Sequence, residues 1–401
     1  MEEKEQSRIF PKIVIELSKL GLEEKELKGY TKKALELLIE TGNLLHFMKI
    51  VKMYLEMLEK EKCGEEYKIF LNGYSSMKIL CQKYRKTHDD PIWKNRCEWE
   101  LYLDYELLQK SRMVRGISQE ELCDEICNRE TISRIENRKN KISDSKFYSL
   151  AEKLQKRKNR YTMFINTDQY ELSKKERQIG KLLWYNQCEE AEKIFCEIER
   201  NGLPDTRENK QYLLFERTCL DWRKGKITRK EGIVKLKESL SYTLSKEEIE
   251  NIEDIFLTRQ EINILNNLAV GYYKIGRREE AVSILYKVLA NYNNTKVMDF
   301  YHAKGIFPIL ANLATYLEEM GNYEGAIEMC DRAIRLGFSI EKNDIFQRFL
   351  TTKACVLEDK GKKESAIEYF TQSYHISCLM KDQHTASIIK SHLQNRYQIN
   401  L

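Results

Sequence analysis

Apolar residues recur at intervals of three and four along most of this chain, the period of helices that bury one face. In the leading part the pattern predicts five helices, in PKIVIELSKLGL, YTKKALELLIET, NLLHFMKIVKMYLEMLEKE, EEYKIFLNGYSSMKILCQKYR and PIWKNRCEWELYL. Gly21, Gly42, Gly64 and Pro91 fall where breaks between them are expected. These read as antiparallel helix pairs without a repeat motif that can be named. A shorter pattern follows over residues 107–154: a helix ending near Gly116, a second from Ser118 to Ile126 and a third from Asn128 to about Asn137. Ser118 and Glu121 have the S-x-x-E spacing of a capping box. Leu108, Ile117, Leu122, Ile126, Ile132, Ile135, Leu150 and Leu154 supply a small core, and Cys123 sits where two helices cross too closely for a larger side chain.

From about residue 175 the chain repeats. In NLAVGYYKIGRREEAVSILYKVL the marks are Ala269, Tyr272, Gly276, Ala281, Leu285 and Val288. The same offsets give Ala314, Leu317, Gly321, Ala326, Cys330 and Ala333, then Ala354, Leu357, Gly361, Ala366, Phe370 and Ser373. Small residues let two antiparallel helices approach, glycine permits the turn between them, and the larger residues fill the seam. Weaker copies fall at GKLLWYNQCEEAEKIFCEI and at YLLFERTCLDWRKGKITRKEGIVKLKESL, and TASIIKSHLQNRYQINL reads as a capping helix.

The fold class is therefore all-α, with a helix-turn-helix between an N-terminal helical region and a C-terminal α-solenoid. Only 4 Pro and 17 Gly interrupt the 401 residues, and a third of the residues are charged, as long solvated helix faces require. The expected division is 1–105, helical hairpins of unassigned role; 106–157, the helix-turn-helix; 158–174, a connection without helical period; and 175–401, the repeats. No apolar run is long enough to cross a bilayer and the start lacks an export signal, so a soluble, cytoplasmic protein without membrane contact is expected. The 11 Cys are spread singly and read as reduced core thiols. His375, His384 and His392 share no helical face at metal-site spacing, and neither metal nor cofactor is expected.

The net charge of +5 is small for this length, but its location is informative. Residues 106–160 hold 14 Lys and Arg against 9 Asp and Glu, so about a seventh of the chain carries the whole excess. Within 137–160 the count is 9 against 2. A charge run is usually a solvated face; the helices around this one decide its meaning.

The repeats over 257–380 resemble the tetratricopeptide repeat, although their spacing of 45 and then 40 residues exceeds the usual 34. Residues 107–154 resemble the helix-turn-helix of the Xre and phage-repressor class, in Gln119 opening the second helix, in the run T-I-S-R-I-E-N and in the basic segment beyond it. The turn is one residue short, at Ile126, Cys127 and Asn128, and this is similar to the junction in the peptide-sensing Rgg, PlcR and PrgX regulators of Gram-positive bacteria. Those proteins also join an Xre-type domain to a tetratricopeptide-like solenoid, but the DNA-binding domain usually begins the chain, whereas about 105 residues precede it here.

The resemblance implies double-stranded DNA and a second copy of the chain as partners. It implies an ion pair between Arg112 and Glu136, base contacts from Arg129, Glu130 and Arg134, and a thymine methyl or phosphate contact from Thr131. Asn128 at the head of the third helix joins this set, while Gln119, Asn137, Arg138, Lys139 and Lys141 would hold the phosphate backbone. It also implies a short signalling peptide as effector. Asn263, Asn266, Tyr273, Thr315, Arg348 and Thr351, on the first helices of the repeats, are candidates to hold it, since an asparagine amide both donates to and accepts from an extended backbone. Two other readings stay open: a solenoid adaptor with a weak DNA anchor, and a constitutive repressor without effector. No phosphate loop, H-E-x-x-H or G-x-S-x-G occurs, and catalysis is not expected.

Overall fold

The computed structural model describes residues 3–60, 64–84, 105–137, 146, 149–150, 153–154, 170–184, 187–294, 300–343 and 346–401. The described residues are helical, with no strand among them. The chain begins with α1 (Glu3–Lys19), α2 (Glu24–Thr41), α3 (Phe47–Lys60) and α4 (Gly64–Tyr84). The helix-turn-helix follows as α5 (Tyr105–Val114), α6 (Gln119–Cys123) and α7 (Arg129–Glu136). Next come α8 (Tyr170–Trp184), α9 (Cys188–Asn201), α10 (Arg207–Arg223), α11 (Arg229–Ser241) and α12 (Lys246–Glu250). The repeats close the chain with α13 (Arg259–Lys274), α14 (Arg278–Asn294), α15 (Phe300–Glu319), α16 (Tyr323–Ser339), α17 (Phe346–Asp359), α18 (Lys363–Leu379) and α19 (Gln383–Tyr397).

Two details depart from the sequence reading. α1 starts before Pro11 and carries it inside the helix. The period resumes at Tyr170, so the last residues of the expected 158–174 connection are helical, and the predicted helix at 91–103 lies outside the described residues. The three clear repeats form the hairpins α13–α14, α15–α16 and α17–α18. Gly276, Gly321 and Gly361 turn them at φ of +87°, +78° and +71°, a left-handed conformation that a Cβ disfavours. The alanines at the small-residue marks are fully buried.

Two compact units result: Met1–Cys97 with Leu310–Leu401, and Glu98–Ile309. In the first, α4 lies along α18, because Gly73 presents no side chain to Leu379: a Cβ there would come within 2.6 Å of the leucine Cβ. The end of α4 is fixed by charge. Tyr84 donates to Asp331 (2.6 Å), and the buried Lys353 ammonium reaches both Asp331 (2.5 Å) and the Tyr84 hydroxyl (2.8 Å). Asn343 N–H donates to the Gly42 carbonyl (2.8 Å) and Lys342 donates to that of Thr41, so α2 is also tied to the segment after α16.

In the second unit a buried polar chain joins α10, the turn after α11 and α13: Gln211 on α10 donates to Thr243, Thr243 donates to Glu261, and Glu261 accepts the Thr258 N–H that caps α13. Every member is satisfied by its neighbour, which makes such a chain specific rather than costly.

Candidate functional site

α6 and α7 are short helices that side-chain caps hold in place. Ser118 accepts from Glu121 N–H (3.0 Å) while the Glu121 carboxylate accepts from Ser118 N–H (2.7 Å), which completes the capping box. α6 ends at Cys123, earlier than the expected Ile126. With one residue fewer available for the turn, the chain reverses through Glu125 at φ +62°, and Cys127 N–H closes on the Cys123 carbonyl (2.9 Å). Asn128 then caps α7, its Oδ1 accepting from Thr131 N–H (2.8 Å) and from the Thr131 hydroxyl (2.6 Å). Asn137 closes the helix by donating to the Ser133 carbonyl (2.7 Å). The side chains of Asn128, Thr131 and Asn137 are thus occupied with the ends of α7.

The interior is built from Leu108, Leu122, Cys123, Ile132, Ile135, Leu150 and Leu154, with Ile117 and Ile126 packed at its margin. Beside it Arg112 meets Glu136 through two hydrogen bonds, of 2.7 and 3.0 Å, and donates a third to the Ile117 carbonyl (2.8 Å). The Glu136 side chain is fully buried and that of Arg112 nearly so. Gln119, expected at the phosphate backbone, donates to the free side of the Glu136 carboxylate (2.8 Å). This network fixes the angle between α5, α6 and α7, and with it the presentation of α7.

The outward side of α7 carries Arg129, Glu130 and Arg134, all exposed. Arg129 reaches Glu120 (2.9 Å) and Arg134 reaches Glu130 one turn earlier (2.5 Å). Exposed pairs of this kind are worth only about 0–1 kcal/mol, so a phosphate or a guanine edge can replace either carboxylate. Arg138, Lys139 and Lys141 lie outside the described residues.

One contact set has no signature in the residue pattern. Phe256, from the segment between α12 and α13, enters the core of the helix-turn-helix. Lys110 pairs with Asp254 (2.7 Å), and Arg115 makes a two-pronged pair with Glu248 on α12 (2.8 and 2.9 Å), whose side chain is 2% exposed. Residues 248–256 thereby seat the domain on the start of the repeats. The partners are more than a hundred positions apart in the chain, beyond the reach of any local period.

The effector candidates fall in both units. In one, Asn263 and Asn266 are partly buried on α13, and Tyr273 is buried beneath the Arg278 guanidinium, 5.5 Å from its ring centroid. In the other, Thr315 returns its hydroxyl to the Ala311 carbonyl (3.0 Å), and Thr351 bonds the Gln347 carbonyl (2.9 Å) and the Ser373 hydroxyl (3.0 Å). Arg348 donates to Asn312 Oδ1 (3.1 Å).

Glu216, on α10, has a buried Oε2 without a hydrogen-bond partner among the described residues. Burial, and then the charge of Glu176, push its pKa up to about 8, against the opposing pull of Arg223.

Among the described residues no His, Cys, Asp and Glu cluster could hold a metal ion, and no helix is long and apolar enough to cross a membrane. Among the described residues no cysteine is in a disulfide.

Two family models match the sequence: the RNPP family C-terminal domain over residues 179–397, and a helix-turn-helix model over residues 108–158. No curated protein matches it significantly. Among solved structures it is similar to PlcR of Bacillus thuringiensis in complex with the peptide PapR7 and DNA, at 17% identity and a TM-score of 0.49, covering 71% of this chain and 98% of that one. ComR of S. thermophilus, in complex with DNA and its signalling peptide ComS, is similar at 15% identity and a TM-score of 0.44, covering 72% of this chain and 97% of that one. For the SHP pheromone receptor Rgg2 of Streptococcus dysgalactiae the identity is 12% and the TM-score 0.39, with 73% of this chain and 98% of that one covered.

Proposed function

Because the chain belongs to the RNPP family, we propose that it is a sequence-specific, DNA-binding transcriptional regulator whose repeats sense a signalling peptide or other effector. Residues 106–157 bind DNA, 158–174 connect, and 175–401 sense; the protein acts as a cytoplasmic dimer and has no catalytic role. The observation that carries this reading is the outward face of α7, where Arg129, Glu130 and Arg134 are exposed on a helix whose inward face is locked by Glu136.

A dimer brings two such helices to successive major-groove half-sites about one DNA turn apart. In each, Arg129 and Arg134 leave their carboxylate partners for guanine acceptors, and Glu130, released, accepts from a cytosine amine. An effector that prefers one arrangement of the repeats changes DNA affinity by a typical coupling of about 1–3 kcal/mol. Sequencing the DNA that co-purifies with the full chain, with and without spent culture medium, tests both halves. A shared motif whose recovery depends on the medium is expected; random DNA in both arms rejects the DNA reading, and a motif indifferent to the medium rejects the sensor.

A further inference from the structure

The partly buried cations of this protein generally meet carboxylates: Arg112 with Glu136, Arg115 with Glu248, Arg217 with Glu192 and Glu199, and Lys353 with Asp331. Arg348 is different. It is the third residue of α17, partly buried on the first-helix side of the last clear repeat, and among the described residues no carboxylate lies within ion-pair distance of it. Of five guanidinium N–H donors, one is used, on the neutral Asn312 amide. Burial pulls its pKa below the ordinary arginine value, and the neighbouring Tyr316 and Cys330, neutral when protonated, oppose this without supplying an anion.

A sheltered cation without a counter-charge is costly to keep, and a planar fork with free donors matches a carboxylate in both charge and shape. The surroundings favour the same occupant. Arg348 is in the first turn of α17, where the helix dipole is positive. Eleven residues on, about three turns along the same face, the helix ends at Asp359; burial first, and then the charges of Asp359 and Glu319, push the Glu318 carboxyl above its ordinary range. An anionic group is therefore attracted at the start of α17 and repelled at its end, roughly 16 Å away, a span of about five extended residues.

We propose that Arg348 seats a carboxylate of the effector, orienting an extended peptide along α17 with that carboxylate at the helix start. The inference rests on the effector reading above and adds to it the ligand's charge and direction. The carboxylate comes either from the peptide's C-terminus or from an Asp or Glu side chain.

The test uses the immobilised full chain and two equimolar libraries of synthetic heptapeptides, one with free C-termini and one amidated, with retained peptides quantified by mass spectrometry. Free-acid peptides should be retained about ten- to a hundredfold better, the worth of a hydrogen-bonded charge. Equal retention with the amidated set enriched in Asp or Glu assigns the seat to a side-chain carboxylate instead. Arg348→Gln should abolish either preference, and Arg348→Lys, which keeps the charge but loses the fork, should preserve part of it. Equal retention of both libraries without acidic enrichment overturns the seat and leaves the effector reading standing. Retention of neither library by the wild-type chain rejects both. The comparison of libraries on the wild-type protein needs no variant to fold.

Discussion

Arg112 in the helix-turn-helix and Arg348 in the last repeats are both sheltered from water, yet the first meets Glu136 through hydrogen bonds of 2.7 and 3.0 Å and the second meets only an amide oxygen. Their neighbourhoods explain the difference. Arg112 holds three short helices at fixed angles, so its charge is answered within the domain, and Gln119 occupies the remaining side of the carboxylate. Arg348 supports no comparable network, with a single hydrogen bond to a neutral partner. The contrast recurs within α7, where Glu136 points inward and is wholly committed while Glu130 points outward and pairs with Arg134 in contact with solvent. A scaffold position completes its own electrostatics; a binding position leaves them incomplete.

The comparison can be broken most forcefully at its buried end. Glu136→Ala leaves Arg112 without a counter-charge and should destabilise the helix-turn-helix by about 3–5 kcal/mol, read as faster amide exchange across α5 to α7. Unchanged protection would mean that the pair does not hold the domain. Phe256→Ala should cost about 3–5 kcal/mol in the same region, although the residue lies outside the domain, and a loss confined to the repeats would contradict its place in that core.

Glu216 sharpens the point through pH. Its pKa of about 8 in the folded chain exceeds the ordinary 4.5, so between those values the folded state holds a proton that the unfolded chain has released. Stability should fall as pH rises through that window, and Glu216→Gln should remove this slope in melting curves taken from about pH 5 to 9. A variant with the same slope as the parent would assign the effect elsewhere.

Smaller effects belong to the outward face. Arg134→Ala should cost about 1–3 kcal/mol at the preferred operator and blur discrimination there, whereas Lys139→Ala should weaken all sequences alike and lower the salt slope by about 1. Equal losses for both on every sequence would erase the distinction between reading and holding. Smallest is Arg348→Met, which removes a cation without a carboxylate partner and should shift stability by no more than about 1 kcal/mol. A large loss would show that Arg348 is part of the scaffold after all.

Much of the molecule is legible in the sequence where its causes are local. The capping box at Ser118, the core positions from Leu108 to Leu154 and the repeat marks from Ala269 to Ser373 depend on spacing within a helix or hairpin. The end of α6 is not legible in the same way, because the period alone continues to Ile126; the reversal depends on Glu125 adopting a left-handed conformation, which glutamate seldom does. Gln119 reads as a contact to the DNA backbone, since its place at the helix start carries no sign that the Glu136 carboxylate, seventeen residues later, can accept a further hydrogen bond. The packing of α4 on α18, and the entry of Phe256 into the helix-turn-helix, join residues far apart in the chain, and one sequence holds no record of such pairs.

The most direct test of the account is a selection of randomised DNA duplexes by the full chain beside the Arg134→Ala variant at one salt concentration. The account predicts that the wild-type protein enriches a two-half-site motif and that the variant loses preference at one base pair in each half. Enrichment of no motif by the wild-type protein, or of the same motif by both, would contradict it.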